Sequence, residues 1–397
     1  MTPTTEAIVV GGGYAGVVAA NRLTTNPDLR VTLINPRPTF VERIRLHQHA
    51  IGAYDAAISF TDVLAPTVRL TVSAVTRIDA TSRSLELANG DVVRYDYLVY
   101  AVGSHSAEPA VPGATEHSYP LSTLEQARAV HDRLHATGPD APVVVVGGGA
   151  TGIETAAELA EAGSSVTLAT GGEIGEYLHP RARREVRRQL DRLGVTLLEA
   201  AEVTAVGAHV VHLADGRELP SRTTVWTAGF GVPDLAARSG LDTDATGRLR
   251  TDETLTSTTD DRIVAAGDAA APSGLPYRMC CAAALPLGAH AAGTVLARVA
   301  GRRPKPFAVP VPGQCLSLGR RLGVFQLARR DDTATPVYIG GRAGGRVKEW
   351  VTAGNRASLG VFSRRPGLIG ALTAVQDPRR TRRLADGSVA IAAARAD

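Results

Sequence analysis

The sequence predicts an α/β fold built on two parallel sheets, because one glycine-rich pattern occurs twice in the chain, 136 residues apart. The first copy is Gly11-Gly-Gly-Tyr-Ala-Gly16 and the second is Gly147-Gly-Gly-Ala-Thr-Gly152. Each copy follows a four-residue apolar run suited to a buried parallel strand, Ala7–Val10 and Val143–Val146, and leads into an alanine-rich stretch. This strand–turn–helix context predicts two separate Rossmann-like dinucleotide-binding units.

The glycines of each pattern have distinct roles in such a unit. The first permits the tight turn between strand and helix, the second lets the backbone approach a pyrophosphate, and the third allows close packing of helix on strand. A second strand follows each pattern at the expected distance, Val31–Ile34 and Val166–Ala169. The residues predicted to contact nucleotide are Gly11, Gly13, Tyr14, Ala15 and Gly16 in the first unit, and Gly147, Gly149, Thr151 and Gly152 in the second.

Three further segments link the two units. Thr259–Asp268 is an apolar strand that ends in Ala-Gly-Asp, and Tyr95–Ser104 and Thr223–Gly229 are strands that end near a small residue and Gly. In this order they resemble the motifs of two-dinucleotide flavoproteins, over residues 7 to about 300. The resemblance implies FAD and NAD(P)H as cofactors, with the Asp268 carboxylate accepting a hydrogen bond from a ribityl hydroxyl of FAD. It also implies nucleotide contacts by Ala101, Gly103, Ala228, Gly229, Gly267 and Leu285.

The order of these motifs predicts the domain organisation. Residues 1–113 and 240–303 form the FAD-binding domain, since the Ala-Gly-Asp strand returns after the second unit, and residues 114–239 form an NAD(P)H-binding domain inserted into it. Residues 304–397 form a small α+β C-terminal interface domain, which makes a homodimer an open alternative. In this last domain the segments Cys315–Gly319 and Leu322–Leu327 are predicted to pair as short strands.

The choice between NADH and NADPH depends on the end of the second strand of the second unit. An acid at this position binds the ribose hydroxyls and repels a 2′-phosphate, but this chain has Thr170. Arg181, Arg183 and Arg184 lie downstream, where they either meet a 2′-phosphate or form a solvated helix face, so both nucleotides stay open. The first unit carries Asn35 in place of the acid, and its amide can still hydrogen-bond the ribose of FAD.

Composition excludes several other classes of protein. The chain of 397 residues is long enough for two or three domains with ample core. No apolar run reaches the ~18 residues of a membrane span and no signal peptide precedes the first strand, so a cytoplasmic protein is expected. The net charge of +4 comes almost wholly from arginine, and no basic stretch is interleaved with aromatics, so no nucleic-acid partner is expected. Three cysteines argue against a disulfide scaffold, and no metal site is predicted.

The electron acceptor is not expected to be a disulfide of the protein. Disulfide reductases of this architecture carry a Cys pair after the first unit or in the NAD(P)H domain, but residues 40–49 and 114–239 contain no Cys. Pro38–Gln48 instead resembles the loop that type II NADH dehydrogenases and apoptosis-inducing-factor-like reductases place beside the isoalloxazine. A cation in this loop would stabilise the negative charge of the reduced flavin. The alternative is that these residues form a polar helix face. The candidate catalytic residues of this loop are Arg43, Arg45 and His47.

Glu154, two residues after the second glycine pattern, matches a glutamate that relatives place near the flavin and nicotinamide. It is expected either to pair with one of those arginines or to relay a proton to a two-electron acceptor, unless it has a capping or surface role. Type II NADH dehydrogenases usually show Ala-Gln-x-Ala-x-Gln after the Ala-Gly-Asp segment, whereas this chain has Cys280–His290 without Gln. The adjacent Cys280 and Cys281 either form a strained, easily reduced ring or are small buried hydrophobes.

These features predict an FAD-dependent NAD(P)H oxidoreductase, most similar to type II NADH dehydrogenases, that passes hydride to flavin and then electrons to a quinone or quinone-like small molecule. Three alternatives stay open: a reductase of a ferredoxin- or rubredoxin-type carrier, a flavoenzyme of secondary metabolism acting on an aromatic substrate, and a redox-sensing FAD/NAD(P)H-binding switch. Arg364–Val375 and the basic run Arg379–Arg383 fit either peripheral contact with an anionic membrane or an ordinary packed helix.

Overall fold

The computed structural model describes residues 5–385, and two five-stranded parallel sheets form its centre. The first part of the chain alternates strands with two helices and includes 3₁₀ turns at 43–45 and 60–62. Its elements are β1 (Thr5–Val10), α1 (Tyr14–Leu23), β2 (Leu29–Asn35), β3 (Thr39–Val41), α2 (Leu46–Ala50), β4 (Ala57–Ser59), β5 (Arg69–Val72), β6 (Val75–Asp79), β7 (Ser84–Leu87), β8 (Val92–Arg94), β9 (Tyr97–Tyr100) and β10 (His105–Ser106).

The middle part of the chain repeats this alternation of strands and helices. A capping box between Thr123 and Gln126 begins its first long helix, and Pro180 occupies the first turn of another, where a missing N–H costs nothing. Its elements are α3 (Ala114–His117), β11 (Ser118–Pro120), α4 (Leu124–Thr137), β12 (Val143–Val146), α5 (Ala150–Glu161), β13 (Val166–Ala169), α6 (Pro180–Arg192), β14 (Thr196–Leu198), β15 (Val203–Val206), β16 (Val210–Leu213), β17 (Glu218–Pro220), β18 (Thr223–Trp226), β19 (Phe230–Gly231) and α7 (Leu235–Arg238).

The last part of the chain returns to the first sheet and then forms a separate antiparallel sheet. It also contains 3₁₀ turns at 267–269 and 366–373. Its elements are β20 (Leu249–Thr251), β21 (Ile263–Ala265), β22 (Ala270–Pro272), α8 (Cys281–Val299), β23 (Gly313–Leu318), β24 (Leu322–Ala328), β25 (Ala334–Ile339), α9 (Gly341–Arg364) and α10 (Pro378–Ala385).

Strand order explains how one unit is inserted into the other. The first sheet runs β21-β9-β1-β2-β5, and the second runs β11-β18-β12-β13-β14. Strand β21 pairs in parallel with β9 although the whole second sheet lies between them in the chain. The predicted fold class, with the second dinucleotide unit inserted into the first, is therefore confirmed, whereas the domain boundaries at 113, 239 and 303 stay predictions.

Strand sequence accounts for the core of each unit. Val143–Val146 is buried along its whole length because a parallel strand is covered by helices on both faces. Helix α8 packs along α1 so closely that a Cβ added to Gly288 would meet the backbone of Ala15. Among residues 5–385, α8 alone is long and apolar enough to cross a membrane, but 67% of that segment is buried inside the protein, which makes it weak evidence for a span.

The C-terminal segment begins with the predicted strand pair. Strands β23 and β24 pair antiparallel, with Cys315 opposite Phe325, and β25 completes a three-stranded sheet. Helix α9 packs across this sheet, where Gly344 lies against the backbone of Gly323. Within the predicted stretch Arg364–Val375 the chain forms a 3₁₀ turn, Pro366–Thr373, since Pro366 interrupts the helical hydrogen bonds, whereas the basic run Arg379–Arg383 lies in α10.

Candidate functional site

The first glycine pattern forms a tight turn between β1 and α1. Gly11 has a φ of +102°, and a Cβ on Gly16 would overlap the carbonyl oxygen of Gly11. By contrast, a Cβ on Gly13 would have nothing within 4 Å. The Asn35 Oδ1 accepts a hydrogen bond of 2.8 Å from the N–H of Gly12, so this amide holds the turn itself. The open space above Gly13 suits the close approach of a pyrophosphate.

The second glycine pattern has the same geometry between β12 and α5. Gly147 has a φ of +118°, and a Cβ on Gly152 would overlap the carbonyl oxygen of Gly147. Gly149 again has nothing within 4 Å of its missing Cβ. A Cβ on Gly147 would also lie 2.8 Å from the Ala228 nitrogen, which brings the predicted crossover segment against the turn. Predicted contacts Thr151 and Gly229 lie beside these residues, at the start of α5 and after β18.

The position that decides between NADH and NADPH is occupied by buried Thr170. A Cβ on Gly148 would lie 2.8 Å from the Thr170 Oγ1, so this neutral side chain stands at the glycine turn. Downstream, Arg183 forms an ion pair with Glu173. Arg181 and Arg184 line a separate groove between α6 and β25. The structure therefore places the charge of Arg183 against an acid rather than leaving it as an unpaired cation.

Asp268 lies where the predicted FAD-binding segments converge. Its Oδ2 accepts a hydrogen bond of 2.7 Å from Ser104 and lies 3.7 Å from the Arg43 guanidinium. Burial lowers the pKa of Arg43, and the Asp268 charge acts in the opposite direction. Gly267, with a φ of +71°, brings this segment against Ala15 of the first glycine turn. The remaining predicted contacts in this region are buried Ala101, Gly103 with a φ of +73°, and buried Leu285 on α8.

A second polar cluster surrounds Glu154 on α5, whose side chain is almost fully buried. The Lys348 Nζ lies 2.8 Å from the Glu154 Oε1, which also accepts hydrogen bonds from the Ser317 N–H at 2.8 Å and the Ser317 hydroxyl at 3.1 Å. His47 completes the cluster, with its Nε2 3.2 Å from the Ser317 Oγ and its Nδ1 3.9 Å from the Glu154 Oε2. Four elements that are distant in sequence thus meet at one carboxylate.

The charges in this cluster follow from burial and pairing. Burial alone would raise the pKa of Glu154, but the Lys348 ammonium, His47 and the Ser317 N–H together bring it below its ordinary value. Burial acts to lower the pKa of Lys348, and the Glu154 charge more than offsets it, so this pKa is raised. Burial lowers the pKa of His47 to about 4. At neutral pH the cluster therefore holds one carboxylate, one ammonium and one neutral imidazole.

The three candidates of the loop after β3 do not act as one group. Arg43 lies beside Asp268, and His47 lies beside Glu154. Arg45 instead pairs with Glu349 and lies over the ring of Tyr54. Because Arg45 and His47 are buried, a solvated polar helix face is not what this loop forms.

The partner of Glu154 is a lysine, not one of the predicted arginines. Lys348 belongs to α9, in the C-terminal segment, and no local motif marks it in the sequence. One signal was available: the whole chain has only two lysines against its many arginines. Lys348 contacts a single oxygen of Glu154 in a buried site. A compact ammonium suits such a single contact, whereas a guanidinium suits bidentate pairing with both carboxylate oxygens.

The adjacent cysteines lie at the start of α8 as free thiols. Cys280 is the N-cap residue, and the Cys281 Sγ accepts a hydrogen bond of 3.5 Å from the Asn355 side chain. Burial raises the pKa of Cys281 to about 12 and also raises that of Cys280. Both side chains are partly buried against the apolar cluster around α1 and α8, and thiols with raised pKa values are poor nucleophiles at neutral pH, which favours the interpretation as small hydrophobes over a redox pair.

Comparison with known proteins agrees with this geometry. An NADH dehydrogenase-like protein of Mycobacterium tuberculosis is 33% identical over 294 residues, covering 67% of this chain and 73% of that protein. The type II NADH:quinone oxidoreductase of Haemophilus influenzae is 26% identical over 326 residues, with the same coverage of 67% and 73%. NDH2 from Plasmodium falciparum, solved in complex with NADH, shares the fold with a TM-score of 0.76 at 15% identity, covering 92% of this chain and 99% of that one.

A family match covers most of the chain. Residues 5–302 match the family described as pyridine nucleotide-disulphide oxidoreductase. The match confirms the predicted resemblance and the predicted class of enzyme, an oxidoreductase with FAD and NAD(P)H as cofactors. Two open glycine turns and an Asp268 carboxylate beside the first of them fit these nucleotides, although the individual contacts stay predictions. The chain belongs to the pyridine nucleotide-disulphide oxidoreductase family.

Proposed function

We propose that the protein oxidises a nicotinamide nucleotide and reduces a quinone or quinone-like small molecule. The observation that carries this proposal is the buried ion pair between Glu154 and Lys348, with neutral His47 beside it. The pair lies next to the second glycine turn and is contributed partly by the C-terminal segment. Such a site offers both a positive charge and a proton relay to a two-electron acceptor.

FAD, when bound, supplies the hydride acceptor and the two-electron donor of this reaction. The residues that would hold it are those of the first glycine turn, with Asp268 and Ser104 at the ribityl chain. Arg43, 3.7 Å from Asp268, provides a half-buried positive charge in the same region. Thr151 and the backbone of 147–149 would hold the nicotinamide nucleotide at the N-terminus of α5.

The chain's own groups account for the acid–base part of the reaction. Reduction of a quinone to a hydroquinone by NADH consumes one proton from solvent, because NADH delivers one hydride and the product carries two new O–H bonds. The Lys348 ammonium would stabilise negative charge that develops on a quinone oxygen, and Glu154 would relay the proton through its hydrogen bonds to Ser317 and Lys348. His47, being neutral, leaves the net charge of the pair unchanged.

A peripheral membrane location is proposed as well, since quinones partition into lipid. The exposed side of α9 and the following turn carries large apolar side chains, among them Trp350 with 77% of its surface exposed. Leu368 and Val375 are also exposed, and Arg364 and Arg365 lie between them and Trp350. Amphipathic aromatic and basic side chains together favour the surface of an anionic bilayer.

One observation favours a second acceptor class, an acidic protein carrier. Arg181, Arg184, Arg187 and Arg188 line an open groove of about 710 Å³ together with residues 336–338. Arg187 and Arg188 also pair with Glu199 and Glu185, which compensates part of this charge. The remaining positive charge would accelerate association with an acidic ferredoxin-type partner at low ionic strength.

Steady-state turnover distinguishes the two acceptors. NADH oxidation is measured with menadione and, separately, with a ferredoxin, in the wild-type protein and in Glu154→Gln. The proposal expects rapid turnover with menadione that is lost in Glu154→Gln and is insensitive to salt. If the protein turns over with ferredoxin but not with menadione, and turnover falls steeply as the salt concentration rises, the acceptor is the protein carrier and the quinone proposal is wrong.

A further inference from the structure

A second buried carboxylate lies one helical turn from Glu154. Glu158 follows it at i+4 on α5, so the two side chains project from the same helix face, and only 1% of the surface of Glu158 is exposed. Its Oε1 accepts a hydrogen bond of 3.2 Å from Gln48, and its Oε2 accepts one of 3.0 Å from Arg320. Arg320 reaches solvent, with 47% of its side chain exposed. Arg320 therefore connects buried Glu158 to the surface.

A small cavity connects the partners of the two carboxylates. Its volume is about 20 Å³, enough for one water molecule. Gln48 and Arg320, the partners of Glu158, form part of its wall, and Ser317 and Lys348, the partners of Glu154, form another part. The wall is polar, so a water there would find the hydrogen-bond partners that it needs.

We propose that Glu158 delivers protons from solvent to Glu154 through a water molecule in this cavity. The inference rests on the proposed function, in which each quinone reduced takes one proton from solvent. In the balanced sequence Glu158 takes up a proton from solvent and passes it through the water and the Ser317 hydroxyl to the Glu154 carboxylate, and Glu154 then passes it to the reduced acceptor. No net charge is left in the protein after one turnover.

The surroundings of Glu158 suit this exchange. The charged groups that act on Glu158 are Arg320, from the turn between β23 and β24, and Glu161 on its own helix. Arg45, Lys348 and Glu349 line the same cavity as Arg320. Glu154, with His47 beside it, lies one helical turn away on α5. Burial raises the pKa of Glu158 in spite of the hydrogen bonds from Arg320 and Gln48. A raised pKa brings the carboxyl closer to the pH of the solvent from which it takes its proton.

The test separates proton delivery from electron transfer. Protein reduced by NADH is mixed anaerobically with menadione, and reoxidation of the flavin is followed together with proton uptake by an indicator dye, in H₂O and in D₂O. In Glu158→Gln we expect unchanged reduction by NADH, reoxidation and proton uptake slowed by about tenfold or more, and a larger solvent isotope effect. Gln48→Met removes a polar part of the cavity wall and the hydrogen bond to Glu158 but leaves both carboxyl groups in place, and it is expected to slow the same step.

The matched control is Glu161→Gln. Glu161 lies on the same helix and accepts a hydrogen bond from the Arg320 N–H, but it is exposed. The flavin of the Glu161→Gln variant should be reoxidised by menadione at the wild-type rate. Unchanged reoxidation, proton uptake and isotope effect in both Glu158→Gln and Gln48→Met would overturn the inference while leaving quinone reduction intact. Failure of the wild type to react with menadione would overturn the inference together with the proposed function.

Discussion

Replacing Lys348 by Met removes the ammonium that lies 2.8 Å from Glu154 and tests how the buried carboxylate is stabilised. The side chains are similar in length, so the change acts mainly on charge. Glu154 would keep two hydrogen bonds from Ser317, and neutral His47 supplies no charge. The remaining carboxylate would either stay charged and unpaired, at a cost of about 3–5 kcal/mol, or take up a proton.

Protonation of Glu154 sets the upper limit of the loss in the free energy of unfolding. A carboxyl with the ordinary pKa of 4.5 takes up a proton at pH 7 at a cost of about 3.4 kcal/mol. The expected loss in the free energy of unfolding is therefore about 3 kcal/mol at pH 7. At pH 5.5 protonation costs only about 1.4 kcal/mol, so the loss shrinks. In the variant we expect the pKa of Glu154 in the folded protein to lie above its value in the unfolded protein. The free energy of unfolding of the variant should therefore rise relative to that of the wild type as the pH falls.

Urea unfolding followed by far-UV circular dichroism, at equal saturating FAD, measures this loss at both pH values. The double variant Lys348→Met/Glu154→Gln should recover most of it, because no buried charge remains. As a control, Arg217→Gln breaks an exposed pair with Asp215 and should leave stability unchanged. A loss under about 1 kcal/mol at pH 7, or an equal loss at pH 5.5, would refute the reasoning.

Three further predictions concern other parts of the molecule. Gly152→Ala should lower the melting temperature and abolish NAD⁺ binding in calorimetry, because the added Cβ overlaps a backbone oxygen. Gly149→Ala should fold normally and bind NAD⁺ more weakly. Normal NAD⁺ binding by Gly152→Ala would contradict the observed packing of the turn. Because burial lowers the pKa of His47 to about 4, acidification from about pH 6.5 to 4 should reduce the free energy of unfolding by up to about 1.4 kcal/mol per pH unit, and the dependence should weaken in His47→Gln. Trp350→Ser should reduce co-sedimentation with phosphatidylglycerol vesicles by about tenfold, and an unchanged bound fraction would exclude this surface as the membrane contact.

The fold could be predicted from the sequence because its signals are local. Each glycine pattern, with the strand before it and the helix after it, lies within about twenty residues, and the return of the Ala-Gly-Asp strand implies the insertion. The same holds for the strands β23 and β24, joined by a short turn. The structure gives the bounds of the strands, and it has a 3₁₀ turn at Pro366 followed by a short helix where the sequence leaves a membrane-contacting or an ordinary packed helix open.

The candidate site could be predicted only in part, because its residues come from distant elements. Motifs in the sequence predict Glu154 and His47 as site residues, but their arrangement depends on how α9 and β23 pack against α5. Lys348 and Ser317 have no motif of their own, so the sequence could not pair them with Glu154. The position of Arg45 in the loop predicts that it faces the flavin ring, whereas in the structure it pairs with Glu349.

The most direct test of the proposed function is a single turnover of the FAD-bound protein, measured anaerobically by the visible absorbance of the flavin. NADH should bleach the wild-type flavin rapidly, and menadione should restore it rapidly. Glu154→Gln should be bleached at the wild-type rate but restored about 10² to 10⁴ times more slowly. A wild-type flavin that NADH does not bleach, or a Glu154→Gln protein that menadione reoxidises as fast as the wild type, would contradict the proposal.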